Sequence, residues 1–250
     1  MDHFREDGVG DKWITMPQWF RMNGFYTSGA GKIFHPGLPP NFDGEHSWQK
    51  FVSPGTGSGL SNRGEQICDT NEMPWIVCPP TAACPPEAKV AGDGHWCALD
   101  RSKLTLPLED DAVLAYGQQM LRANAANLTD RPFFLAVGFH KPHLPFYFPE
   151  QYGDLYPTAS EIAPPGFPNP PKGMPLAAWH EGKFDNRWGQ PCASDGPNST
   201  RVFRRAYYSA VSFTDDNVGK LLGTLDSELG LFNETVVALM GDHGWQLGGK

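Results

Sequence analysis

Two strand-length runs constrain this chain most. Phe133-Phe134-Leu135-Ala136-Val137-Gly138-Phe139 has no polar side chain, and a strand without apolar/polar alternation is expected inside a parallel sheet covered on both faces. Thr235-Val236-Val237-Ala238-Leu239-Met240 repeats the pattern and reads as a second inner strand. Between them Phe203, Tyr207, Ala210, Thr214, Val218, Leu221 and Leu225 recur at helical spacing, with Gly230 as the stop. Upstream, Asp110 and Asp111 open another amphipathic helix, whose face runs through Val113, Gly117, Met120, Leu121 and Asn124 to about Asn127. Residues 17–34 give a short helix around Gln18-Trp19-Phe20, a turn at Asn23-Gly24 and a strand from Tyr26 toward Lys32. Strand, helix, strand, helix, strand is the order of an α/β fold with a mostly parallel sheet flanked by helices.

Much of the remaining chain should be ordered loop, because 28 glycines and 24 prolines are many for regular structure. From about residue 38 to 108 no period is sustained, so this stretch is expected to be a long insertion within a single domain spanning residues 1–250. It holds Cys68, Cys78, Cys84 and Cys97, with Cys192 further on. Their spacing lacks the paired Cys-X2-Cys knuckles of structural zinc and suits disulfides in an oxidising compartment. A disulfide such as Cys84 to Cys97 would restrain the loop. Sequons at Asn127, Asn198 and Asn233 agree with secretion. The first residues do not resemble a signal peptide, and no apolar run approaches the roughly 20 residues needed to span a bilayer. A net charge of −8 argues against nucleic acid and anionic membranes as partners, so an anionic substrate must be held by a local cationic pocket.

Ligand sites in open α/β sheets lie beyond the carboxyl ends of the strands. There the sequence places Lys32 with His35, His140 with His143, and Asp242 with His243, which include four of the eight histidines. Each alone has an ordinary explanation: a solvated lysine, a His-Pro turn, a helix-capping aspartate. Gathered in one cleft, they suit an oxyanion held beside a cation, as in phosphoryl or sulfuryl transfer.

Gly31-Lys32-Ile33-Phe34-His35-Pro36-Gly37, Phe133 through His143-Leu144-Pro145, and Asp242-His243-Gly244-Trp245-Gln246-Leu247-Gly248 resemble the sulfatase family in order and separation. The helix segments Tyr208 to Phe213 and Asp215 to Gly219 add to the likeness, which spans roughly residues 13 to 248. The Lys-X2-His spacing looks like the iduronate 2-sulfatase branch rather than the arylsulfatases. The resemblance implies an alkaline-phosphatase-like fold, incomplete at both ends here, acting on a sulfated sugar or glycosaminoglycan in a lysosomal or extracellular setting. It implies that Lys32 and His143 contact sulfate oxygens, with His143 protonating the departing sugar oxygen and His35 assisting the later base step. Asp242 becomes a ligand of Ca²⁺, or of Mg²⁺, with His243 at the metal's edge. His140 and Lys141 stand outside the catalytic set, the first as a structural histidine and the second as solvated.

Sulfatases attack with a formylglycine made from a Cys/Ser-X-Pro-X-Arg motif that precedes the Lys-X2-His segment, and no such motif lies before Lys32. Cys78-Pro79-Pro80-Thr81-Ala82 lies downstream and has Ala82 in place of the arginine. The family's paired metal-binding aspartates are also missing: Asp110-Asp111 and Asp215-Asp216 follow no apolar strand and read as helix surface. The expectation is therefore an internal fragment, poorly stable and without turnover alone. A non-catalytic sulfated-glycan-binding relative and a phosphatase or phosphonate hydrolase on the same fold are the competing expectations.

Overall fold

The computed structural model describes residues 4–35, 40–52, 96–104, 107–127, 130–144, 146–166, 172–173, 175, 196–245 and 247. Most of the expected insertion lies outside the described residues, as do Cys68, Cys78, Cys84, Cys192, Pro36, Gly37 and Pro145. In chain order the elements are α1 (Met16–Met22), β1 (Tyr26–Gly31), α2 (Gly44–Ser47), β2 (Lys50–Val52), β3 (Trp96–Leu99), α3 (Glu109–Ala126), β4 (Phe133–Gly138), β5 (Phe146–Pro149), α4 (Glu150–Gly153) and α5 (Gly196–Gly223). The fold is α/β, and every strand pairing among the described residues is parallel. Residues 1–78, 105–140 and 216–237 form one compact unit, and residues 79–104, 141–215 and 238–250 form a second.

In the first unit α1 begins where Thr15 and Gln18 cap each other and Pro17 occupies the first turn, which has no use for its missing N–H. It ends at Asn23, and Gly24 supplies the left-handed turn (φ 86°) that leads into β1. β1 is the middle strand of the order β2-β1-β4, and β1 and β4 run in register from Tyr26 opposite Phe133 to Gly31 opposite Gly138. Ala30, Val52, Ala112, Val113, Tyr116 and Met120 form the buried core between this sheet and α3, with Leu135, Val137 and Phe139 packed against it. Gly117 lets α3 sit close to the sheet, since a Cβ there would stand 3.0 Å from a Val137 methyl. β2 falls inside the stretch expected to be loop; three residues are too few to show a period. β4 is only half-buried along its whole length, not covered on both faces as expected, because β1 is its sole hydrogen-bonded neighbour among the described strands.

Arg122 on α3 grips Glu228, just after α5, with Nε to Oε1 at 2.6 Å and Nη2 to Oε2 at 2.8 Å. These hydrogen bonds hold the Glu228 carboxyl below its usual range. A depressed folded-state value stabilises the fold above the ordinary carboxylate range, and that contribution is lost as pH falls through the depressed value. Both side chains are about half exposed, so the effect is small. Glu228→Gln should lower the urea midpoint slightly at pH 7, and the gap from wild type should close in acid once Glu228 is protonated.

The second unit is built on a two-stranded parallel ribbon that pairs Trp96 with Phe146 through Leu99 with Pro149. Phe146 lies 4.7 Å from the Phe203 ring and 5.4 Å from Tyr207, and Tyr152 lies 5.4 Å from Phe213, so one face of α5 packs on aromatic rings. Phe203 and Ala210 are buried as the helical spacing predicts, and Ala206 and Phe213 complete the stripe. Cys97 is fully buried on β3 and disulfide-bonded, in accord with the expected disulfide chemistry. Its partner lies outside the described residues. α5 gives way to a π-helical turn (Thr224–Glu228), and Gly230, at φ 66°, stops the helix where expected.

The strand expected at Thr235 to Met240 does not form. The segment is not assigned to a strand and pairs with none of the described strands, and Val236, Leu239 and Met240 are 97%, 83% and 86% exposed. An inner strand is stable only between hydrogen-bonding neighbours, and here the apolar pattern has none among the described residues.

Candidate functional site

Lys32 begins where β1 ends, held by a close backbone approach. Its N–H donates to the Gly138 carbonyl at 2.7 Å, and Ile33 N–H turns back to Gly31 O at 3.1 Å, closing a three-residue turn around Lys32. Gly31 takes φ 79°, and a Cβ on either Gly31 or Gly138 would run into the other strand's carbonyl. Phe34 then lies against Phe4 and Trp48, at 5.9 and 6.4 Å between ring centroids, and His35 follows in solvent.

At the end of β4 in the same unit, His140 is clasped by the first turn of α3. Its backbone N–H donates to Asp110 Oδ1 at 2.7 Å, and its Nδ1 stands 3.3 Å from Glu109 Oε1. His140 is thus tied to α3 rather than within its own loop, and the reading of Asp110 is corrected. The aspartate is 1% exposed rather than helix surface, and Glu109, which the sequence analysis passed over, is 7% exposed. A signal was available: a helix that leads into a parallel strand runs back across it, so its first turn lies at the strand's ligand end. Asp215 stays at the surface, and Asp216 pairs with Lys220 at 2.6 Å. Asp110→Ala removes the acceptor of a half-buried N–H and should cost about 1–3 kcal/mol in urea denaturation. Asp110→Asn keeps a carbonyl oxygen there and should cost less.

In the second unit the chain continues through a cis Lys141-Pro142 peptide. Lys141 is 9% exposed, not solvated as expected: its Nζ donates to His143 O at 3.3 Å and lies 5.7 Å from the Tyr147 ring centroid. Thr214 on α5 donates its hydroxyl to Lys141 O at 2.8 Å, which fixes the turn from the other side. His143 Nδ1 lies 2.7 Å from Leu144 O. A carbonyl only accepts, so Nδ1 carries the hydrogen and Nε2 is the nitrogen through which this ring can take or give a proton.

The His143 ring meets His243 and Trp245 edge-on, each at 5.6 Å, and the latter two stand 6.0 Å apart. Asp242 accepts from His243 N–H at 3.0 Å, and its other oxygen is 3.7 Å from His243 Nε2. The structure thus brings His143, Asp242 and His243 together in the second unit, while Lys32 and His35 belong to the first. Trp245, to which the sequence analysis gave no role, completes the aromatic cluster. Its only sequence signal was its place in the Asp242-to-Gly248 motif.

The sulfatase family model matches residues 6–250. The chain belongs to the sulfatase family. Human iduronate 2-sulfatase is 32% identical over 247 residues, covering 94% of this chain and 40% of the human protein. A sulfatase of Formosa agariphila is 29% identical over 264 residues, covering 98% of this chain and 45% of that protein. A crystal structure of a putative sulfatase from Bacteroides fragilis aligns with TM-score 0.47 at 17% identity, over 96% of this chain and 46% of the other. This sulfatase-family chain therefore spans about two fifths of the length of the curated relatives it matches.

Ca²⁺ takes six to eight oxygen ligands. Among the described residues no group of three or more His, Cys, Asp or Glu side chains is placed to hold a metal. Asp242 offers one hard carboxylate beside the His243 imidazole, and by themselves the two do not make a calcium shell.

Proposed function

We propose that the protein to which this chain contributes hydrolyses a sulfate ester on a sulfated sugar, as the relationship to iduronate 2-sulfatase favours. Lys32 places its ammonium on the sulfate oxygens and offsets charge as sulfur is attacked. His143 donates a proton from Nε2 to the departing sugar oxygen, and His35 assists the base step that follows. Asp242 and His243 stand at the metal's edge of the pocket. The attacking group in this reading is a formylglycine, whose Cys/Ser-X-Pro-X-Arg motif is absent from these 250 residues, so by themselves they are expected to turn over no ester. In balance, ester and water give alcohol and sulfate.

One observation carries the reading. His143 is fixed in a single tautomer by Leu144 O, with Nε2 left as the acid-base atom, in contact with the His243 ring of the Asp-His-Gly motif. A secretory setting and glycan substrates follow from the same reading, supported by the disulfide at Cys97. No helix among the described residues is long and apolar enough to cross a membrane.

The test is sulfate release from 2-sulfated uronic acid disaccharides by the complete protein. Release that depends on Lys32 and His143 supports the reading. Saturable binding of the disaccharide with no release would replace it with a non-catalytic glycan-binding role.

A further inference from the structure

A lysine ammonium keeps its hydration unless the fold gives it something to hold. Lys141 is nevertheless 9% exposed, and its Nζ reaches two residues along its own chain to donate to the His143 carbonyl at 3.3 Å. The same turn is tied from α5, where Thr214 donates its hydroxyl to Lys141 O at 2.8 Å. A threonine inside a helix ordinarily turns its hydroxyl to the carbonyl four residues back. Here that oxygen, Ala210 O, is the more distant acceptor at 3.1 Å, so the shorter bond goes to the turn.

Both bonds act on the backbone that carries His143. Lys141 Nζ holds the peptide plane between His143 and Leu144, and the next carbonyl along, Leu144 O, accepts from His143 Nδ1 at 2.7 Å. Thr214 holds the peptide plane between Lys141 and Pro142, and the φ of Pro142 is set by its own ring. The chain is therefore pinned on either side of His143, by a hydroxyl of α5 before it and by a lysine ammonium after it. All of these residues belong to the second unit. The imidazole faces Leu144 O in one tautomer only while that backbone keeps its course.

We infer that Lys141 and Thr214 are positioning residues for His143, holding the backbone that presents its Nε2 to the departing sugar oxygen. The kinetic consequence rests on the sulfate-ester reading above, whereas the structural consequence rests on the turn alone.

Lys141→Met keeps the length of the side chain and loses the donor. Thr214→Val keeps the branched shape and loses the hydroxyl, and Thr214→Ser puts it back. In the complete protein Lys141→Met should lower kcat on a sulfated sugar by about ten- to hundred-fold and change KM by less than about three-fold, because the acid is displaced while the substrate still binds. Thr214→Val should lower kcat several-fold, and Thr214→Ser should stay within about two-fold of wild type. An aryl sulfate whose phenol leaves readily should show little of either loss.

The deciding variant is the double substitution. Once His143→Ala has removed the acid there is nothing left to position, so adding Lys141→Met should cost less than about two-fold more. Should Lys141→Met fail to fold, Thr214→Val with and without His143→Ala carries the same test. The inference is overturned if Lys141→Met costs as much beside His143→Ala as it does alone, since Lys141 would then act on the substrate itself. It is equally overturned if sugar and aryl sulfate slow alike, or if Lys141→Met and Thr214→Val both match wild type. A complete protein that releases no sulfate defeats the proposed function instead, and the inference is then decided by the ¹⁵N signals of the neutral His143 ring. Wild type should carry the hydrogen on Nδ1, and Lys141→Met should mix the two tautomers. A ring unchanged in both Lys141→Met and Thr214→Val would overturn it.

Discussion

His143→Ala is expected to lower kcat for release of sulfate from a sugar by about 10²–10⁴-fold, the range general acid catalysis supplies. A sugar alkoxide is a poor leaving group, so nearly all the benefit of the Nε2 proton appears as the ester bond breaks. With an aryl sulfate whose phenol leaves readily as an anion, the same substitution should cost far less. That contrast separates proton donation from mere positioning, because a displaced sulfate group would slow both substrates alike. His143→Gln supplies a side-chain amide that can donate a hydrogen bond but cannot act as an acid at neutral pH, and should follow the alanine variant on the sugar.

Gly138→Ala should be the most destabilising single-methyl change in the first unit. A Cβ at Gly138 would stand 2.1 Å from the Lys32 carbonyl oxygen, far inside van der Waals contact with a backbone atom that cannot rotate away. The ends of β1 and β4 must therefore separate, breaking the Lys32 N–H to Gly138 O bond and opening the core at Val113, whose methyl already crowds Gly31. Overpacking against backbone together with a lost hydrogen bond is expected to cost on the order of 3–5 kcal/mol. Gly24→Ala is the control. Gly24 has φ 86° but nothing within 4 Å of its would-be Cβ, so only the left-handed backbone penalty of about 1–2 kcal/mol applies. Chemical denaturation of the two variants checks the difference. Because the close approach also sets where Lys32 leaves the strand, Gly138→Ala should impair sulfate handling in any fraction that folds.

Where local pattern and local structure coincide, the sequence was easy to read. α1, β1, α3, β4 and α5 lie where Gln18-Trp19, Tyr26-Thr27, Asp110 to Asn127, Phe133 to Phe139 and the Phe203 stripe put them. Strands set by pairing rather than by pattern were not legible. β2 and β3 are three and four residues long and sit in Gly/Pro-rich sequence. Thr235 to Met240 erred the other way: the apolar pattern is that of an inner strand, but a strand exists only with neighbours. Site residues divided similarly. His143, Asp242 and His243 carry motif spacing, and the structure sets them side by side in the second unit. Glu109, Asp110 and Lys141 were assigned to the surface or passed over, because their burial depends on which helix end or ring lies beside them. Charged side chains are buried only against specific partners, such as the His140 amide or the His143 carbonyl, and one-dimensional patterning does not reveal those.

The account depends on His143 Nε2 lying against the sulfate group of the bound ester. Anomalous diffraction from a crystal of the complete protein soaked in selenate, a heavier copy of sulfate, locates that anion without ambiguity. The account predicts a selenate with an oxygen within about 2.7–3.2 Å of His143 Nε2. Selenate bound with His143 Nε2 beyond hydrogen-bond reach of it would contradict the account.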